Sequence, residues 1–137
     1  MNISSFRELR VWQLGMDLAE RIYILTDSFP KSETYGITSQ IRRSAVSIPS
    51  NLAEGHGRNS TKEFLQFIAI SFGSICELET QILLSYRLKY INKDDLETIL
   101  ALLTETSKTI RGLQKALKEL LQKPGLRLIS GMQNCRV

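Results

Sequence analysis

Residues Tyr35–Arg58 read YGITSQIRRSAVSIPSNLAEGHGR, and the spacing within this stretch decides the fold. Read as a helix, it places Ile37, Ile41, Ala45, Ile48 and Leu52 on one face, at steps of three and four. Gln40, Ser44, Ser47, Asn51 and Glu54 form a second row beside it, and the first four carry no charge. Short polar side chains let a neighbouring helix approach closely and bond to backbone or to one another. Val46, Pro49 and Ala53 make a third edge, small and apolar, suited to contact with another helix or subunit. Pro49 removes one ladder bond and clashes with the carbonyl of Ala45, at a cost of about 3 kcal/mol. The segment is therefore either kinked or split. The apolar phase runs unbroken from Ile48 to Leu52, which favours one kinked helix. Gly55 and Gly57 are expected to end it.

Three further helices follow from the flanks, giving an all-α chain of four helices suited to a bundle. Ser5-x-x-Glu8 reads as a capping box opening a helix over about 6–27. Leu9, Trp12, Met16, Ala19 and Tyr23 form one of its stripes, and Val11, Leu18, Ile22 and Leu25 another. Phe29-Pro30 stops it, and the central helix occupies about 34–55. Ser60-x-x-Glu63 opens a third helix over about 61–88. Asn92, Asp94 and Asp95 make an acidic start for a fourth, over about 93–121. In that fourth helix Leu96, Leu103, Ile110 and Leu117 repeat every seven residues, as do Ile99, Thr106, Leu113 and Leu120. Residues 1–121 are thus one bundle, and Pro124-Gly125 sets off a short tail, 122–137, in which Leu126, Leu128 and Ile129 have the character to dock.

The third helix carries two apolar rows. Phe64, Phe67, Ile68, Ser71, Ile75, Leu78 and Ile82 form the core face; Leu65, Ala69, Phe72, Cys76 and Leu83 lie about a quarter-turn away. A surface helix needs one apolar stripe. Two imply burial on two sides, and with four helices in the chain the second side is expected to meet another subunit. Glu79 projects between the rows, where an unpaired charge is costly, so Arg42 or Arg43 is expected to pair with it, within or between subunits, and fix register.

The chain has 137 residues, 42% of them hydrophobic and 23% charged, as expected for one soluble domain. No run of about 18 apolar residues suggests a membrane span, and the N-terminus lacks an apolar signal core. The cytoplasm fits best. Net charge is +4, spread as −1 over residues 1–27, +3 over 28–62, −4 over 63–107 and +6 over 108–137. A basic C-terminal quarter suits a polyanion, and equally a solvated last helix. One histidine, His56, and two distant cysteines, Cys76 and Cys135, exclude a metal site of usual spacing. Cys76 lies on an apolar row and is expected to be buried and inert. Gly55-His56-Gly57-Arg58 reads as a helix stop more readily than as a phosphate cradle. No nucleophile–base set, phosphate loop or dinucleotide fingerprint is present, so neither an enzyme nor a cofactor is expected.

Several motifs together resemble a known family: Leu9-x-Val11-Trp12, Phe29-Pro30, Glu33, Tyr35-Gly36, Ser39-Gln40-Ile41-Arg42-Arg43, Ser47-Ile48-Pro49-Ser50-Asn51, Ala53-Glu54-Gly55, Glu63-Phe64, Gly73-Ser74 and Glu77-Leu78-Glu79. The chain is similar, over about residues 6–120, to the four-helix bundle proteins of bacterial ribosomal RNA intervening sequences. The resemblance implies an antiparallel up-and-down four-helix bundle assembled into a homopentameric ring, and a fold relationship to the accessory variability protein of diversity-generating retroelements, which binds nucleic acid and a reverse transcriptase. Two functions stay open. One is a nucleic-acid module, for RNA or DNA, that contacts phosphates through Arg42, Arg43, Arg58, Lys62, Lys108, Arg111, Lys115 and Lys118. The other is a scaffold that docks a partner protein. Structural or interface roles fall to Trp12, Gln40, Val46, Pro49, Asn51, Ala53, Glu54, Phe72 and Glu79.

Overall fold

The computed structural model describes residues 4–123. Four helices dominate it: α1 (Arg10–Thr26), α2 (Ile37–His56), α3 (Thr61–Arg87) and α4 (Lys93–Gln122), with single 3-10 turns at Phe6–Glu8 and Lys31–Glu33. Each helix packs on its neighbours in the chain, and α4 closes back on α1. The result is a four-helix bundle around one apolar core. The tail, with Leu126, Leu128, Ile129 and Cys135, lies outside the described residues.

The first helix departs from its expected form. The Ser5 hydroxyl accepts from the Arg7 amide rather than that of Glu8, while the Glu8 carboxylate takes both the amide and hydroxyl of Ser4. Those local bonds hold a single 3-10 turn. Leu9 is then extended (φ −68°, ψ 122°), which turns its side chain into the core, and α1 begins only at Arg10. The inner face of α1 is Val11, Leu14, Leu18, Ala19 and Ile22. Of the other stripe, Met16 and Tyr23 are 46% and 45% exposed.

In α2, Ile41, Ala45, Ile48 and Leu52 are completely buried, as their spacing requires. Pro49 lies inside a single helix, so the stretch is not split in two. Its ring sits against α1 where that helix has no side chain: a Cβ built on Gly15 would lie 3.4 Å from the proline ring and 3.3 Å from Ile48 Cγ2. Gly55 does not stop the helix. It is buried inside the last turn, where an added Cβ would fall 2.5 Å from Phe67 Cβ. The chain leaves α2 through Gly57 and Asn59, whose φ of 54° is a left-handed value that asparagine tolerates.

The polar row of α2 faces α3. Ser44 donates to the Glu77 carboxylate, Ser47 and Ser74 share a hydroxyl pair at 2.6 Å, and Ser71 donates to the Ile48 carbonyl at 3.0 Å. Rising numbers in α2 meet falling numbers in α3, so these two helices run in opposite directions. Each bond holds two helices at a close spacing that larger side chains would prevent.

Ser60 caps α3 by accepting from the Glu63 amide, as its spacing predicts. At the other end the Tyr90 amide reaches the Ser85 carbonyl, and Lys89 stands at φ 66°. This is the left-handed helix stop usually made by glycine. Asn92 then caps α4 through the Asp95 amide. Both seven-residue repeats of α4 point inward, with only Leu120 half-exposed. By length and a mean hydropathy of 1.4, α3 could cross a membrane, although its sequence has no unbroken apolar run. Here it serves as a bundle helix, with Ser71 and Ser85 buried against its neighbours.

Candidate functional site

Two surfaces stand out: one apolar, one basic. The apolar one is a groove between α1 and α2 of about 470 Å³, lined by Trp12, Met16, Ala19, Tyr23, Val46, Pro49 and Ala53, with Glu20 and Ser50 at its edges. Its α2 wall is the small apolar edge read from the sequence. Its α1 wall comes from the first of the two stripes read there. The stripe spacing was right, but the core is already filled by Leu14, Leu18 and Ile22, so Met16 and Tyr23 are left outside. Phe6 packs edge-on against Trp12 at 5.3 Å between ring centres.

A second apolar area lies on α3. Of its outer row, Leu65 and Phe72 are half-buried, while Ala69, Cys76 and Leu83 are exposed. The Arg111 guanidinium of α4 lies 3.6 Å over the Phe72 ring and covers it. Cys76 is therefore not the buried cysteine its spacing suggested, because α4 shields only the inner edge of this row.

The basic residues divide by environment. Arg42 is half-buried and spent within the chain: its Nε donates to Thr26 Oγ1 at 2.8 Å, its Nη2 reaches Asp27, and it lies 4.7 Å over the Tyr23 ring. Arg58 pairs with Glu54 at 3.1 Å and lies against Phe67. Arg43 and Lys62 are exposed, with no ion pair among the described residues. Within one chain, Glu79 pairs with neither Arg42 nor Arg43. α2 packs on the Ser74–Glu77 flank of α3, so Glu79 faces solvent and Arg42 turns to α1. The carboxylate that α2 does contact is Glu77, on the adjoining flank.

Of the eight candidate cations, only the four of α4 come together. Lys108, Arg111, Lys115 and Lys118 recur at steps of three and four, so they form one outer stripe of about 15 Å. Arg111 is held by Phe72 and by Gln114. The three lysines are exposed and make no ion pair among the described residues. Of the other structural candidates, Asn51 donates back to the Ser47 carbonyl, and Gln40 is exposed.

His56 sits at the end of α2, edge-on to Phe64, with its Nε2 buried and unbonded. Burial lowers its pKa, against a smaller opposing pull from Glu8. The glycine turn around it is thus a packed helix end. No group of three metal-binding side chains occurs among the described residues.

Comparison with known proteins agrees with this architecture. A solved protein of unknown function from Bacteroides thetaiotaomicron, described as from the S23 ribosomal protein family, is 26% identical and superposes with a TM-score of 0.69, covering 77% of this chain and 98% of its own. No curated protein matches. The family model for the 23S rRNA-intervening sequence protein matches residues 7–112, most of the bundle, and the chain belongs to that family.

Proposed function

We propose that this protein is a non-enzymatic, self-associating bundle of the cytoplasm that binds RNA or DNA through phosphate contacts. The α4 stripe is the observation that carries this reading: four cations on one outer face, three of them exposed lysines with no ion pair among the described residues. Phosphates satisfy such a row without any base readout. Self-association is supported by the groove on α1/α2 and the apolar flank of α3. These are different patches on different helices; a contact of one with the other is head-to-tail, and such contacts build a ring where the rotation closes. Five subunits is the number the family resemblance suggests. Repeating one weak stripe around a ring raises affinity by avidity alone.

Light scattering followed by binding to labelled RNA and DNA across a salt series tests both halves. Four phosphate contacts predict that log K falls with log salt at a slope of about −3.6 per bound protomer on duplex. An assembly that ignores nucleic acid at low salt refutes the phosphate module. It leaves the second reading, a scaffold that docks a partner protein.

A further inference from the structure

Lys89 sits where a glycine would ordinarily stop α3, and its neighbours explain what it could do there. Residues 86–93 read YRLKYINK, with Arg87, Lys89 and Lys93 and no acid. Over residues 63–107 the net charge is −4, yet all three cations of that segment fall within these eight residues. Tyr86, Arg87, Lys89, Ile91, Asn92 and Lys93 line an open concavity of about 490 Å³. The acids that follow are not part of it, and Asp95 instead lines the dent on the α1 side with Arg21 and Ser28. Arg87, Lys89 and Lys93 make no ion pair among the described residues, and Tyr86 is 37% exposed. The turn is anchored from behind. Tyr90 packs against Phe29 at 5.5 Å and donates its hydroxyl to Glu33 at 3.1 Å, which also raises the Tyr90 pKa.

We infer that this end of the bundle is a second nucleic-acid contact, built for single strands. It rests on the proposed phosphate-binding function and adds to it a place and a strand preference. Three cations spaced around a concavity suit a bent phosphate backbone, whereas the straight row on α4 suits any polyanion. An exposed tyrosine within the same concavity gives an unpaired base a face on which to stack, and a duplex offers no such base. Sequence averaging hid the site, because the surrounding acids of α3 and α4 outweigh it in number.

The test uses the whole chain and labelled single-stranded and duplex oligonucleotides of matched sequence. The triple variant Arg87→Gln, Lys89→Gly, Lys93→Gln removes three phosphate partners. It is expected to weaken single-strand binding about 100-fold at 0.1 M salt and to flatten the salt slope by about 2. Tyr86→Leu keeps the apolar contact and the charges. It is expected to lose about five-fold or more on single strands and nothing on duplex. Circular dichroism confirms that each variant folds. If the parent binds single strands and the triple variant binds within two-fold of it, the inference is overturned and the α4 stripe stands. If the parent binds no nucleic acid, this inference falls with the function on which it rests.

Discussion

Gly55→Ala is the sharpest test of how closely α2 and α3 are packed. The new methyl carbon would begin 2.5 Å from Phe67 Cβ and 3.0 Å from Phe64 Cδ1. Neither contact is with a flexible side-chain tip. Phe64 is completely buried, and the Phe67 atom is fixed to the backbone, so the helices themselves must separate at this end. Overpacking of that kind costs about 3 kcal/mol, and the better helix propensity of alanine returns about 1 kcal/mol. The net loss is about 2 kcal/mol, or a fall in Tm of about 8 °C for a chain of this size. Gly112→Ala on α4 is the matched control. It adds a methyl where nothing lies within 4 Å and should raise Tm by about 3 °C. Calorimetry on both variants decides the matter. If Gly55→Ala melts at or above the parent, the close approach of these helices is wrong, and so is the register of the serine seam that depends on it.

The remaining predictions concern charge, assembly and acid. Val46→Glu places a charge in the apolar groove without touching the core and should reduce the mass seen by light scattering to that of a single chain; an unchanged mass would exclude this face from the interface. Arg42→Ala loses a charge-assisted bond to the Thr26 hydroxyl and the stacking on Tyr23, and should cost about 2 kcal/mol in chemical denaturation. A loss below about 0.5 kcal/mol would mean that the guanidinium is not held. His56 has a lowered pKa in the folded chain, so below its ordinary value of 6.5 the unfolded chain binds more protons. Stability should therefore fall as pH drops from 7 to 5, and His56→Gln should flatten that fall. A variant as acid-sensitive as the parent would place the responsible group elsewhere.

The helices were legible because their apolar spacing is regular, and α3 and α4 also because their caps are unambiguous. Ser60 and Asn92 each bond the amide their position predicts, and the inward residues of α4 follow both seven-residue repeats. What could not be read was which of two apolar stripes faces inward. Trp12, Met16 and Tyr23 obey helical spacing as faithfully as Leu14, Leu18 and Ile22, and only the assembled core shows which set has room. Glu79 illustrates the same limit for charge. Its place between two apolar rows implied burial, but one of those rows is largely open in the single chain. Gly55 shows it for backbone, since a glycine near a helix end reads as a stop whether it terminates the helix or admits a phenylalanine beside it. Within the candidate site, the α4 stripe was visible in the sequence because its period matches the helix. The Arg87–Lys93 cluster was not, because it is organised by a turn.

The left-handed conformation of Lys89 sets stability against the proposed nucleic-acid contact at a single residue. At φ 66° glycine fits without the steric penalty that a side chain incurs, so Lys89→Gly alone should stabilise the fold by about 1 kcal/mol. A library of variants selected only for heat resistance would therefore be drawn to glycine there, and would lose a charge from the concavity with every such success. A lysine kept at that position is what selection for something other than stability would leave behind.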